Sequence, residues 1–184
     1  MPRYIAFLRA VNVGGRVVKM DELRRLFEKL GYRGVESFIA SGNVIFETGA
    51  KSVAKLGKQI ETGLEEALGY EIETFLRTDA EVAEVAAEFE SDLFPKKLWT
   101  TAQACNVGFL HAPLAAAAVK TLESYVTELD AFATRGREWY WLSQTRFSES
   151  PFFKVPVERR LGARTTLRNL NTVRKLAAKY PPGG

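Results

Sequence analysis

Three short polar runs in this 184-residue chain carry side chains suited to gripping a ligand. The first is Phe7-Leu8-Arg9-Ala10-Val11-Asn12-Val13-Gly14-Gly15, a hydrophobic strand that runs straight into a glycine turn. The second is Ala40-Ser41-Gly42-Asn43, and the third runs from Thr165 to Thr172 through Arg168, Asn169 and Asn171. A guanidinium, amides and hydroxyls beside glycine-freed backbone N–H groups suit a small anion or a phosphate. The same residues also have a conformational explanation, since glycine serves tight turns and Asn tolerates positive φ. Neither the phosphate-loop nor the dinucleotide fingerprint is present.

Reaction chemistry is harder to build. A general base is missing from all three runs, which contain no His or Cys and no carboxylate beyond capping positions such as Asp21. His111, the one histidine, sits beside Pro113, and Cys105, the one cysteine, lies inside a strand; both read as structural. A lone cysteine excludes an internal disulfide, and a thiolate or imidazole metal cluster is not expected. No cofactor is implied.

The elements that would position these runs follow from periodicity. Arg3 to Val11 is apolar at nearly every position, the pattern of a strand buried on both faces. Leu23, Leu26, Phe27 and Leu30 form a half-buried helical stripe with Asp21 and Glu22 at its start. Val35 to Ala40 and Asn43 to Glu47 read as strands joined by the Ser41-Gly42 hairpin. A helix over Ser52 to Leu68 would bury Val53, Leu56, Ile60, Leu64 and Leu68, and Tyr70 to Arg77 closes the unit as an alternating strand. The order βαββαβ is the ferredoxin-like pattern. A right-handed crossover makes the first two strands parallel in direction, which brings the Asn12 turn and the Ser41 hairpin to one end of the sheet. If the first strand is apolar on both faces, the second half of the chain or a second copy must cover the face the helices leave open.

Thr78-Asp79-Ala80-Glu81 reads as a capping box opening a helix with Val82, Val85, Ala86 and Phe89 inward. An irregular connection from Ser91 to Thr101 then leads to a strand over Ala102 to Leu110 and a helix from Pro113 to Glu123. Strands over Val126 to Phe132 and Glu138 to Leu142 follow, then a short helix from Pro156 to Leu161 and an extended piece from Ala163 to Thr166. Arg168 to Lys179 is the final helix, and Pro181 to Gly184 a frayed tail. The expected fold class is therefore α+β, two tandem ferredoxin-like domains over 1–78 and 79–184, with an extra C-terminal helix.

Hydrophobic content of 46% and charged content of 26% fit a soluble globular protein, with no apolar run of membrane-span length and no signal pattern. A cytoplasmic location is expected. The net charge of +4 is unevenly spread: residues 154–184 hold eight basic side chains against Glu158 alone, so this segment carries +7 and the rest −3. Such an end attracts an anionic partner, or is simply a solvated surface.

The segments FLRAVNVGG, KMDELRRLFEKLGY, SFIASGNVIFE and TTLRNLNTVRKLA resemble an uncharacterised, mostly bacterial family, the domain-of-unknown-function 1697 family. The resemblance implies tandem ferredoxin-like domains and no known reaction, cofactor or ligand. The family's recurrent polar positions correspond to Arg9, Asn12, Gly14, Gly15, Ser41, Gly42, Asn43, Arg168, Asn169 and Asn171. Leu170 departs from it, standing where the family usually has tryptophan. The leading functional expectation is binding of a small anionic or phosphorylated ligand by the two first-half loops with Arg9, completed by the Arg168 to Asn171 segment. Nucleic-acid binding through the basic end ranks below it, because Phe7 and Phe46 read as core rather than as a stacking surface. An enzyme in which Arg9 or Ser41 acts with a substrate-derived base is the third reading, and a protein-interaction or homo-oligomerisation module without a small ligand is the fourth.

Overall fold

A strand that is apolar on both faces belongs in the middle of a sheet, and β1 (Arg3–Leu8) lies there. The computed structural model describes residues 1–39 and 41–183, without the side chain of Glu90. Around β1 are α1 (Met20–Lys29), β2 (Arg33–Ser37), β3 (Asn43–Glu47), α2 (Val53–Leu68), β4 (Thr74–Thr78) and α3 (Asp79–Ala87). The sheet order is β2-β3-β1-β4 with every neighbouring pair antiparallel. Tyr4, Ala6 and Leu8 meet Val44 and Phe46 and pack under Leu23 and Phe27 of α1 and Leu56, Ile60 and Leu64 of α2. Ile5, Phe7, Ile45 and Phe75, on the other face, are buried too.

The second half follows the same plan. After a 3₁₀ turn at Glu88–Glu90 come α4 (Lys96–Thr101), β5 (Ala104–Phe109), α5 (Ala116–Glu123), β6 (Asp130–Arg135) and β7 (Glu138–Ser143). Two 3₁₀ turns, Phe147–Glu149 and Pro151–Lys154, lead to α6 (Val157–Leu161), β8 (Thr166–Asn169) and α7 (Leu170–Lys179). The order β6-β7-β5-β8, again antiparallel throughout, repeats that of the first sheet position for position. The chain is thus mixed α+β, with two four-stranded antiparallel sheets and seven helices among the described residues. It forms two compact units, Met1–Val82 with the C-terminal residues from Tyr180, and Ala83–Lys179.

That grouping of the terminus has visible causes. The Tyr180 hydroxyl donates to Glu36 Oε2 (2.6 Å), the Arg3 guanidinium lies 5.8 Å from the centroid of its ring, and Arg3 donates to the Pro181 carbonyl (3.3 Å). Pro181 is therefore held, whereas the sequence reads it as frayed; Gly184 is outside the described residues.

Several element boundaries differ from periodicity for local reasons. Pairing of β4 with β1 begins at Thr74, so Tyr70 to Glu73 precede the strand. The pairing of β2 shifts register between Arg33 and Glu36, and Ile39 at φ 59° turns the chain out of the strand; Ala40 lies outside the described residues. Lys96–Thr101 is helical where an irregular connection is expected, a single turn and a half too short to show a 3.6 period. Val53 and Phe89, expected inward, are 40% and 36% exposed. The Thr127 hydroxyl accepts from the Leu129 and Asp130 N–H groups, a turn that delays β6 to Asp130. Pro113 lies ahead of α5 rather than inside it, and β8 and α7 begin later than their expected positions.

The most demanding packing in the second unit is at Gly108. It pairs with Trp139 across β5 and β7, and a Cβ there would fall 2.0 Å from the Trp139 Nε1. That indole donates to Thr165 Oγ1 (3.0 Å), which donates to the Phe109 carbonyl (2.9 Å). Gly108→Ala must displace the ring and break this chain. The expected loss is about 3 kcal/mol, read as a fall of roughly 6–12 °C in the thermal midpoint. A midpoint within about 1 °C of the wild type would contradict this packing.

Candidate functional site

The polar end of the first sheet is built by hydrogen bonds that tie three segments together. As β1 ends, the Leu8 amide donates to the Gly42 carbonyl (2.9 Å) and the Arg9 amide to the Glu73 carbonyl (2.9 Å). Tyr70 donates its hydroxyl to the Val11 carbonyl (3.2 Å). Gly42 is pressed against this junction at φ 76°, where an added Cβ would lie 3.0 Å from Val11 Cγ2 and 3.3 Å from Leu8 Cβ. Glycine alone meets both the backbone and the space requirement. The strand-to-helix turn and the hairpin therefore do meet at one end of the sheet.

Beyond the junction the backbone is left in the open. Asn12, Val13, Gly14, Gly15, Arg16 and Val17 are all exposed. The Asn12 Oδ1 accepts from the Val18 amide (2.9 Å) and closes this excursion into a loop. Gly14 and Gly15 both take positive φ, 68° and 79°. The Arg16 guanidinium stacks 4.3 Å from the centroid of the Tyr70 ring. Lys19 precedes α1 without offering a side-chain cap, and Arg9 is half-buried. Two non-glycine residues among those described have positive φ, Ala10 at 56° and Ile39 at 59°, one in each of the two loops. For a β-branched residue that conformation is unusual and costs energy.

Not every polar residue of these loops faces outward. Asn43 is fully buried, and its Nδ2 donates to the Phe38 carbonyl (3.0 Å) and to Ser41 Oγ (2.8 Å). With the Phe38 amide donating to the Asn43 carbonyl (3.0 Å), it fastens the hairpin. Ser41 is exposed at the tip.

Arg168, Asn169 and Asn171 lie in the second unit. Arg168 is buried, donates to Thr166 Oγ1 (2.8 Å) and the Leu167 carbonyl (2.9 Å), and burial lowers its guanidinium to about 10. It therefore remains charged at neutral pH. Asn169 Oδ1 accepts from the Asn171 amide (2.9 Å) at the start of α7. Leu170 between them is buried. Sequence reasoning misses the counterpart of this arrangement in the first unit. Arg77, also buried, donates to the Leu76 carbonyl (2.8 Å) and precedes Thr78, which caps α3. The signal is Leu76-Arg77-Thr78 against Leu167-Arg168-Asn169.

Remaining candidates are structural in their setting. Burial pushes the Cys105 thiol up to about 12, so it stays protonated and unreactive near neutral pH. Phe7, Phe46, Trp139, Tyr140 and Trp141 are all buried. Among the described residues no cluster of three His, Cys, Asp or Glu could hold a metal ion, and no helix is long and apolar enough to cross a membrane.

The family described as "Protein of unknown function (DUF1697)" matches residues 1–140. The chain belongs to that family. The matched residues include the whole first-unit cluster and end before Arg168, so the family match carries the loops of the first unit but not the C-terminal run. No curated protein matches the chain. Among solved structures, a conserved bacterial protein, SP0830 from Streptococcus pneumoniae, is similar at 26% identity and a TM-score of 0.72, over 96% of this chain and 97% of that one.

The burial of Asn43 separates structure from binding at this end of the sheet. Asn43→Ala should cost about 2–3 kcal/mol, because it removes two hydrogen bonds and leaves a void at a fully buried position. Urea unfolding would show this as a lower midpoint with an unchanged slope. An unchanged midpoint would mean that the amide does not hold the hairpin.

Proposed function

We propose that the first unit binds a small anionic, phosphorylated ligand where the β1–α1 turn meets the β2–β3 hairpin. The observation that carries this reading is the pair of non-glycine positive-φ residues, Ala10 and Ile39, one in each loop at the same end of the sheet. Backbone strain of this kind concentrates where a structure must hold an uncommon shape for a ligand. Charge supports the same reading: Arg9, Arg16 and Lys19 lie on or beside the exposed Asn12–Val17 loop. The first turn of α1 adds backbone N–H groups that no side chain at Lys19 caps. Asn12 shapes the loop, Asn43 and Gly42 brace it, and Arg9, Lys19, Ser41 and the Gly14-Gly15 amides are the groups that would touch the ligand. We read the two units as tandem ferredoxin-like domains of a cytoplasmic protein, each with a helix added after its last strand.

Nucleic-acid binding has less support. The rings that would stack on bases are buried, and Arg168, one of the eight basic residues near the C-terminus, is buried with them.

Thermal unfolding of the full chain with inorganic phosphate, sulfate, sugar phosphates and nucleotides tests the reading. A ligand at about one hundred times its dissociation constant adds about 2.7 kcal/mol, a rise of roughly 5–10 °C for a chain of this size. Arg9→Ala and Lys19→Ala should each remove most of the rise, and Lys19→Ala, at an exposed position, should leave the unliganded midpoint within about 2 °C. Absence of a rise with every compound, or an undiminished rise in both variants, would overturn it.

A further inference from the structure

A sheet edge left bare offers its backbone to another chain, and native proteins guard such edges with charges, bulges, proline or cover. The edge strands here are guarded unequally. β4 and β8 are mostly buried. β2 carries Arg33 and Glu36, its pairing shifts register between them, and the Tyr180 hydroxyl is seated on Glu36. β6 has none of these devices. It contains no lysine or proline, pairs with β7 without a register shift and carries charge only at its ends. Asp130 is buried and accepts from Trp141 and Ser150, and Arg135 is held by Glu88 (2.7 Å) and Asp92 (3.1 Å). Between them Ala131, Phe132 and Ala133 are half-buried and Thr134 is exposed.

The hydrogen bonds at the start of β6 fix which of its groups face outward. In an antiparallel strand the backbone groups of successive residues point alternately to one side and the other. The Asp130 carbonyl accepts from the Thr127 amide (2.9 Å), and the Asp130 amide donates to Thr127 Oγ1 (3.1 Å), so both point away from β7. One residue earlier, the Leu129 carbonyl accepts from the Gln144 amide (2.7 Å), which follows β7. Alternation then turns the groups of Ala131, Ala133 and Arg135 toward β7 and those of Phe132 and Thr134 outward. Among the described residues, no hydrogen bond reaches the outward N–H and C=O of Phe132 or Thr134.

A strand with this pattern is its own complement. A two-fold axis at Ala133 sets Phe132 opposite Thr134 of a second copy, and Thr134 opposite that copy's Phe132. Each pair exchanges both of its hydrogen bonds, so every outward group on the two strands is satisfied. With the axis at Phe132, Thr134 would face Asp130, whose groups Thr127 already occupies. With the axis at Thr134, Phe132 would face the turn at Gly136, which has φ 58°. Residues on the axis approach closely, with about 4.5 Å between Cα atoms, and Ala133 has the small side chain this needs. The cross-strand pairs are aromatic against β-branched, a favourable combination. Arg135 falls opposite Ala131, so no like charges meet.

We propose that β6 is a self-association edge, through which two copies of the chain pair antiparallel at Phe132–Thr134 and join their second sheets into one. So short an edge buries less than a standard interface, and the association is therefore weak and concentration-dependent. It shares no residue with the anion site proposed for the first unit and does not depend on it.

Sedimentation equilibrium of the full chain, together with amide hydrogen exchange followed by NMR, tests this. The mean mass should rise from that of a monomer at about 5 µM toward that of a dimer at about 500 µM. Over the same range, exchange at the Phe132 and Thr134 amides should slow about threefold or more, while the Ala131 and Ala133 amides stay slow throughout. Thr134→Pro removes an outward N–H without touching a bond to β7, and should hold the chain at monomer mass. Thr134→Val keeps the donor and the β-branch and should dimerise like the wild type. Unmoved Trp139 and Trp141 indole signals report an intact fold in both variants. Three results overturn the proposal: monomer mass at about 500 µM, a dimer whose Phe132 and Thr134 amides exchange as fast as in dilute protein, or undiminished dimerisation of folded Thr134→Pro.

Discussion

The hydrogen bond from the Leu8 amide to the Gly42 carbonyl is the constraint on which the first unit's polar end depends. Because β1 is apolar on both faces, it must be central, and its polar groups can emerge only at its ends. At the upper end the strand would otherwise leave the sheet freely into the loop. Fastening it to the hairpin instead, with no Cβ at Gly42 to hold the segments apart, forces the chain into the excursion that Asn12 closes on Val18. The uncommon φ at Ala10 and Ile39 then has a mechanical origin: each sits in a segment whose two ends are tied. The same geometry that strains these residues leaves six consecutive loop residues, Asn12 to Val17, open to a ligand.

The two units solve the same folding problem with different interiors. Both use the strand order in which the first and third strands are central, and both end in a strand that passes directly into a helix after a buried arginine and a capping residue. The Thr78 hydroxyl accepts from the Glu81 amide (3.2 Å) while the Glu81 carboxylate accepts from the Thr78 amide (2.8 Å). Asn169 does the equivalent work for α7 with a shorter-range bond. The cores differ in kind. In the first unit aliphatic residues and phenylalanines fill the space under two long helices. In the second, α5 and α6 are short, and Trp139, Trp141 and Phe152 supply the volume, with their indole groups satisfied by Thr165 and Asp130.

Much of the first unit was legible in the sequence because its signals agree at every level. A continuously apolar β1, a helical stripe with an acidic first turn and a glycine hairpin all point to one topology. The convergence of the two loops followed from that topology. The inward turn of Asn43 did not, since composition cannot distinguish an amide that braces a hairpin from one that faces a ligand. Nor could periodicity show the bare edge at β6. The turn at Thr127 delays that strand to Asp130, and which backbone groups face outward follows only from the observed register. The correspondence of Arg77 with Arg168 was hidden because the halves share strand order but few side chains.

On the proposed reading, the tied loops of the first unit present backbone and side-chain donors to an anion. Titrating ¹⁵N-labelled protein with inorganic phosphate at constant ionic strength measures this at each amide. Saturable shifts are expected at Gly14, Gly15, the Ser41 tip and the first turn of α1, and nowhere else. Shifts spread over the basic residues between 154 and 179, with the Gly14-Gly15 amides unmoved, would contradict it.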